Sequence, residues 1–280
     1  MRRHDPRDPR FTPWLVALAG AAIIGATCGT PDLPPVPAAP PELPTAMNWR
    51  PDETGFMARG FVTRTGYPLP YRLCVPTGYR HDGHYPVVIW LHGAGGTGSD
   101  NLRQISGDQI PGTRLWLEPE QQRAHPAIVL VPQSDTAWRP GADTRPGLQP
   151  EAAAVLELVG AIEAEFSVDA RRIYLLGQSA GGHAVWNLLT HAADRFAASI
   201  LVCPVSTDVA PVDHAAGVPL WVFQGSDDSL ANDTRARVND LERAGGHPRF
   251  TEYKGAGHDI WRRVFQEPGL ADWLFAQARR

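Results

Sequence analysis

The sequence predicts an α/β fold in which helices cover both faces of a mostly parallel central sheet that carries an antiparallel N-terminal strand pair. Short apolar runs such as 87–91 are continuous, as expected of strands buried on both faces. These runs alternate with segments of helical periodicity, which implies right-handed crossovers between parallel strands. Two strand-like segments at 56–64 and 67–75, joined by Thr65-Gly66, predict the antiparallel pair.

The first 28 residues have the composition of a signal peptide. Four arginines lie within 1–10, and the apolar run 14–27 that follows is shorter than the roughly twenty residues that span a bilayer. We therefore expect residues 1–28 to direct export to an extracellular, periplasmic or envelope-anchored location. Cys28 follows Gly25-Ala26-Thr27, which is similar to a bacterial lipoprotein processing site. Membrane attachment through a lipidated Cys28 and simple cleavage both remain open.

Residues 29–46 are rich in proline and predict an extended, semi-rigid tether. The remaining segment, 47–280, contains no second linker and has the length of one large α/β domain. The formal net charge of the chain is −4, and no basic cluster is present, which argues against a nucleic-acid partner. Cys74 and Cys203 are predicted on strands far apart in the sheet, so we expect two free thiols.

A predicted strand, a tight turn and a helix follow one another in residues 171–186. Ser179 lies at the corner, with Gly177 and Gly181 two residues to either side. Glycine suits this geometry because a strand that turns sharply into a helix brings backbone close to the serine. Such spacing arises by chance in roughly one sequence in twelve of this composition, so the prediction of a nucleophile depends on its partners.

A glycine-rich segment, 92–98, follows the predicted strand 85–91. One reason for glycines there is that backbone N–H groups can face a ligand and stabilise an oxyanion. The expected donors are the N–H groups of Ala94 in this loop and of Ala180 directly after Ser179. A flexible surface turn is the alternative, whereas a phosphate loop lacks its GK[ST] ending.

A serine hydroxyl needs a base to take its proton and a carboxylate to orient that base. The predicted strand 219–223 is followed by two acidic residues, Asp227 and Asp228. Asp228, three residues after Gly225, has the spacing we favour for the orienting acid, and Asp227 remains an alternative. An acid in this position is also common as simple turn chemistry.

His258 is the candidate base, because it lies in a glycine-rich loop after the predicted last strand, 249–253. The serine, the acid and the histidine then occur along the chain in the order of one known arrangement of this chemistry. His183 is the main competitor. It follows Ser179 by one helical turn and is expected to point into packing.

Trp138 lies in a loop after the predicted strand 127–131, where it is either a contact in the substrate cleft or a packing residue. The pair His81 and His84 suggests a metal only weakly, because no further ligands stand nearby. We expect no metal and no cofactor.

Together these motifs resemble the carboxylesterase and polyhydroxybutyrate-depolymerase-like branch of the α/β-hydrolase superfamily, which includes feruloyl esterases. The resemblance covers roughly residues 56–280 and rests on four segments: 91–101, 177–182, 223–228 and 257–261. One departure is Gln224, where many relatives have histidine before the glycine.

The resemblance implies that Ser179, His258 and Asp228 form a catalytic triad and that Ala94 and Ala180 supply the oxyanion donors. Together with the predicted signal peptide and tether, it predicts an exported or membrane-tethered serine esterase, with residues 47–280 as its catalytic domain and a small-molecule or polymeric ester as its substrate. A peptidase of the same fold and a non-catalytic binding module are the alternatives. Acyl and alcohol specificity depends on segments 101–125 and 134–150, which have no readable periodicity.

Overall fold

The computed structural model describes residues 51–138, 147–206 and 212–280. The predicted signal peptide, 1–28, and the predicted tether, 29–46, lie outside the described residues. Eight strands form one sheet: β1 (Met57–Val62), β2 (Pro68–Cys74), β3 (Tyr85–Leu91), β4 (Ile128–Pro132), β5 (Val168–Gln178), β6 (Ala198–Val202), β7 (Leu220–Gly225) and β8 (Arg249–Tyr253).

The strand order in the sheet is β1-β2-β4-β3-β5-β6-β7-β8. β1 pairs antiparallel with β2, and β2 pairs antiparallel with β4, while every other neighbouring pair is parallel. Parallel neighbours need a crossover, and the long segments between them supply it. The predicted mostly parallel sheet with an antiparallel N-terminal strand pair is confirmed.

The described helices are α1 (Ile110–Arg114), α2 (Pro119–Ala124), α3 (Pro150–Glu165), α4 (Ala180–Ala192), α5 (Ala231–Arg243), α6 (Trp261–Val264) and α7 (Leu270–Phe275). The apolar sides of α3, α4 and α5 pack on one face of the sheet. Those of α6 and α7 pack on the other face, together with Trp116. Helices therefore cover both faces, as predicted.

β3 shows how the sheet divides the core. Val87, Ile89 and Leu91 belong to the cluster under α3 and α4, whereas Val88 and Trp90 belong to the cluster under α6 and α7. All five are fully buried, because successive side chains of a strand point to opposite faces and both faces are covered. Burial on both faces of the sheet therefore explains why the sequence of 87–91 is continuously apolar.

Three features differ from the sequence-based boundaries. β5 begins at Val168, well before the apolar run that predicted it, and its register with β3 shifts at Tyr85. Segment 101–125 folds into α1, α2 and short 3₁₀ turns that periodicity could not reveal. Helix α6 follows the candidate base and is too short to show a period.

Cys74 ends β2 and Cys203 directly follows β6, so three strands of the sheet separate them, and both are free thiols. Within the three described ranges, we find no helix with the length and apolar character needed to cross a bilayer.

Candidate active site

Ser179 lies between β5 and α4, at the carboxyl edge of the sheet. Its backbone has φ 52° and ψ −115°, a conformation that residues other than glycine rarely adopt. Its N–H donates to Val202 O at 2.9 Å, and its own carbonyl accepts from the N–H of Val205 at 3.0 Å. These bonds to the segment at the end of β6 hold the strained turn in place.

Gly181 is required by the close approach of α4 to the end of β3. A Cβ at this position would lie 2.1 Å from Leu91 O and 2.7 Å from His92 O, which no real side chain could do. The first turn of α4 thus packs directly against the backbone that leads into the glycine-rich loop. This contact, as well as the sharpness of the turn, explains why residue 181 is a glycine.

The structure brings Ser179, His258 and Asp228 into one hydrogen-bonded series. Oγ of Ser179 lies 2.9 Å from Nε2 of His258, and Nδ1 of His258 lies 2.7 Å from Oδ2 of Asp228. The three residues follow β5, β8 and β7, whose carboxyl ends meet at one edge because these strands are parallel. In such a series the imidazole can accept the serine proton.

Asp228 lies in a buried position that is rich in donors. Its side chain is 2% exposed, whereas that of His258 is 41% exposed. Gln224 Nε2 donates to Oδ2 at 2.8 Å, and the N–H of Leu230 donates to Oδ1 at 3.1 Å. Burial opposes ionisation of this carboxyl, but the hydrogen bonds from His258, Leu230 and Gln224 outweigh it and lower the pKa of Asp228.

The alternatives to Asp228 and His258 lie elsewhere. Asp227 is exposed, and its carboxylate accepts from Ser226 Oγ at 2.7 Å. His183 is buried within α4, one turn after the serine, as the sequence predicted. Of the two neighbouring acids, Asp228 is therefore the one that contacts the histidine.

The candidate oxyanion donors lie on adjacent segments. Ala94 begins a 3₁₀ turn, Ala94–Gly96, and Ala180 begins α4 directly after Ser179. Gly93, just before Ala94, packs against β5 so closely that a Cβ there would lie 3.2 Å from Gln178 Nε2. Gln109 Oε1 accepts the N–H of Gly93 at 2.8 Å. These contacts fix where the loop starts relative to the turn that carries Ser179.

His92 has a structural role at the start of this loop. It is fully buried, its Nδ1–H donates to Gly93 O at 2.7 Å, and its Nε2 accepts the N–H of Ser134 at 2.9 Å. One ring nitrogen thus donates and the other accepts, which is the hydrogen-bonding pattern of a neutral imidazole. Burial outweighs the opposing effects of Gly93 and Asp108 and lowers the pKa of His92 to about 4. A neutral His92 therefore joins the loop to the end of β4.

Trp138, expected to be either a contact in the substrate cleft or a packing residue, is buried against His92. Its side chain is 1% exposed, its Nε1–H donates to His92 O at 2.9 Å, and its ring lies 4.9 Å from that of His92. An indole buried in this way packs beneath the glycine-rich loop. The alternative that the sequence left open, a packing residue, describes it better.

Among the described residues, one group of three has atoms close enough to suggest a metal site: Cys203, Asp228 and His258, within 4.8 Å of one another. Nδ1 of His258 and Oδ2 of Asp228 are already joined at 2.7 Å, and two ligands of one tetrahedral zinc stand roughly 3.3 Å apart. The histidine and the acid therefore fit a shared proton better than a shared metal ion.

Three buried glutamines support the site. Gln224 donates to Asp228, Gln109 accepts from Gly93, and Gln133 donates to Gly96 O at 3.1 Å. Gln133 and Gln224 stand at the ends of predicted strands, where an uncharged polar residue next to an apolar run is a usable signal. Gln109 lies in the segment without periodicity and gave no such signal.

Comparison with known proteins adds a family match. A family model described as an esterase matches residues 63–261, which is more than half of the chain. Among solved structures, the chain is similar to a thermostable esterase, with 33% identity, coverage of 80% of this chain and a TM-score of 0.74. The chain spans 64% of the length of that esterase.

Two further structures are more distant. A ferulic acid esterase from Anaeromyces mucronatus has 18% identity, a TM-score of 0.57, and coverage of 75% of this chain and 88% of its own. Porphyromonas gingivalis dipeptidyl peptidase 4 has 20% identity, a TM-score of 0.59, and coverage of 79% of this chain and 35% of its own. At these identities the likeness concerns the fold alone, which an esterase and a peptidase here share.

Proposed function

Because this chain belongs to the esterase family and has the α/β-hydrolase fold, we propose that it is a serine hydrolase that cleaves carboxylic esters with Ser179, His258 and Asp228 as its triad. The observation that carries the proposal is the series of hydrogen bonds from Ser179 Oγ to His258 Nε2, 2.9 Å, and from His258 Nδ1 to Asp228 Oδ2, 2.7 Å.

In the proposed reaction, His258 Nε2 accepts the proton of Ser179 as Oγ attacks the ester carbonyl. The tetrahedral intermediate collapses when the C–O bond to the alcohol breaks, and the imidazolium of His258 gives its proton to the leaving oxygen. A water molecule then attacks the acyl-enzyme with His258 again as base, which releases the acid and restores Ser179. The negative charge of Asp228 stabilises the imidazolium both when the acyl-enzyme forms and when it is hydrolysed.

Ala94 and Ala180 are the proposed donors to the oxyanion. Both stand at the first position of a helical turn, where backbone N–H groups lack partners within the helix. The N-terminal end of α4 beneath Ser179 also favours negative charge. Loss of one such donor typically costs about 2.7–4 kcal/mol of transition-state stabilisation.

Replacement of Ser179 by alanine tests the proposal. The variant should lose hydrolysis of p-nitrophenyl acetate and butyrate and should no longer react with a fluorophosphonate probe, while its circular dichroism and melting temperature stay close to wild type. Ser167→Ala is the matched control, because Ser167 precedes β5 at the opposite end of that strand. Wild-type turnover in Ser179→Ala would refute the proposed nucleophile.

The same experiment separates the alternatives. A binding module would leave wild-type protein unlabelled by the probe and inactive. A peptidase would be labelled but would cleave an amide as fast as the ester with the same acyl group. We expect the ester to be preferred, and a series of acetyl, butyryl, feruloyl and polyester substrates then identifies the acyl class.

We also propose that the enzyme is exported and anchored through Cys28. The support is the sequence alone: a basic start, an apolar run and a cysteine at its end. Expression of the full chain in a bacterium with radiolabelled palmitate should label the wild type and not Cys28→Ala. If both chains are exported but neither is labelled, simple cleavage is the correct alternative, and retention of both in the cytoplasm contradicts export itself.

A further inference from the structure

Cys203 lies beside the Asp228–His258 pair of the candidate site, and the reaction above does not use it. The residue is completely buried directly after β6. Its Sγ, a carboxylate oxygen of Asp228 and a ring nitrogen of His258 all lie within 4.8 Å of one another. These three residues come from the ends of three different strands, so the fold and not the local sequence brings them together.

The backbone of Cys203 is held in an unusual conformation. Its φ is 42°, in the left-handed region that residues with a side chain rarely adopt. Its N–H donates to Phe223 O at 2.9 Å, which ties the residue to β7 just before the turn that carries Asp228. A strained residue persists only where its surroundings determine it, and such residues cluster at functional sites.

Asp228 has room for one more donor. Oδ2 accepts from Gln224 and His258, and Oδ1 accepts from the N–H of Leu230. A carboxylate offers about four acceptor positions, so one remains. Because the Asp228 side chain is only 2% exposed, a donor to this remaining acceptor position has to come from the protein rather than from solvent.

We propose that Cys203 is a positioning residue whose S–H donates to the carboxylate of Asp228 and holds it toward His258. The inference rests on the proposed function and adds a fourth donor to the acid. A thiol is a weak donor, so its contribution to rate is modest. Its effect is on the charge that faces the imidazolium, and this makes it visible in the pH dependence of catalysis.

The state of the thiol fits this role. Burial raises the pKa of Cys203, the adjacent Asp228 and the nearby Asp259 raise it further, and a backbone contact with Gly225 opposes them without reversing the shift. The raised pKa keeps Cys203 in its protonated, neutral form, in which the thiol can donate. Since the thiolate is the nucleophilic form, Cys203 does not compete with Ser179.

Cys203→Ala, Cys203→Gly and Cys203→Ser test the inference. Alanine and glycine remove the donor, and glycine also relieves the strain at positive φ. Both variants should lower kcat/KM of the ester reaction about three- to tenfold, as expected for one buried hydrogen bond. Both should also move the acid limb of the pH profile to higher pH by a few tenths of a unit, because a less stabilised carboxylate attracts the imidazolium more strongly. Cys203→Ser keeps a hydrogen-bond donor, so its kcat/KM and the position of its acid limb should both stay close to wild type.

Cys74→Ala is the matched control, since Cys74 is a free thiol on β2. If Cys203→Ala fails to fold, the glycine and serine variants decide the outcome. Equal rate losses in all three Cys203 variants with an unmoved acid limb would mean a packing role and overturn the inference. An inactive, unlabelled wild type would instead refute the proposed function, so the two failures are distinguishable.

Discussion

The side-chain amide of Gln224 donates to Oδ2 of Asp228 at 2.8 Å, the same oxygen that accepts the Nδ1–H of His258. Gln224 is fully buried at the end of β7, four residues before the acid. This residue carries a neutral amide, which does not titrate. The hydrogen bond that orients Asp228 therefore does not depend on the protonation state of residue 224.

We predict that Gln224→Leu lowers kcat/KM about tenfold or more, because a hydrogen bond to a buried charged group contributes about 1.5–3 kcal/mol. Gln224→Glu should be worse, since a second carboxylate beside Asp228 repels it. Steady-state kinetics with p-nitrophenyl butyrate measures both. Gln277→Leu, near the end of the chain, is the control for loss of a side-chain amide. A comparable loss of kcat/KM there would contradict a specific role for the hydrogen bond from Gln224 to Asp228.

Asp228 and Asp227 form a matched pair of adjacent acids. Asp228→Asn should lower kcat by about 10⁴-fold, the loss seen when the acid of a serine triad becomes an amide. Asp227→Asn should stay within about twofold of wild type, because this residue is exposed and contacts Ser226 rather than the histidine. A larger loss from Asp227→Asn than from Asp228→Asn would reverse the assignment.

Trp138→Phe keeps an aromatic ring and removes the hydrogen bond to His92 O, 2.9 Å in the wild type. If Trp138 acts by holding the glycine-rich loop, kcat should fall between about twofold and tenfold, as expected for one hydrogen bond, with KM nearly unchanged. A substrate contact would instead raise KM and depend on the acyl group. Trp273→Phe, on the other face of the sheet, is the control.

The buried, neutral His92 predicts a pH dependence of stability. Its pKa is lowered to about 4 in the folded protein against an ordinary value near 6.5 when unfolded. The unfolded state therefore binds a proton first, so the free energy of unfolding should fall as the pH drops from about 6.5 to 4. The loss has an upper limit of about 3 kcal/mol. The lowered pKa of Asp228 acts separately, below about pH 4.

Urea unfolding at a series of pH values measures this dependence. His92→Asn cannot titrate and should remove most of the slope between pH 6.5 and 4, even if it is less stable at every pH. His191→Asn should leave the slope unchanged, because His191 is exposed at the end of α4. An unchanged slope in His92→Asn would show that other groups cause the acid sensitivity.

The accuracy of the sequence-based predictions follows from the type of signal. Strands β3 and β4 are almost entirely buried, so their apolar runs predict them closely: β3 matches the predicted strand 85–91, and β4 is shifted by one residue from the predicted strand 127–131. The short helices in 101–125 were not predicted because no helical period can be read in five or six residues.

The sequence by itself determined the fold class, the order of the strands along the chain, and the candidates Ser179, Asp228 and His258, because burial and turn geometry leave a periodic, local record. Only the tertiary structure decided which neighbouring acid contacts the histidine, that Trp138 packs beneath the loop, and that Cys203 lies beside Asp228. These relationships join residues from different strands. Their distances depend on how the sheet brings strand ends together, and local sequence carries no record of that.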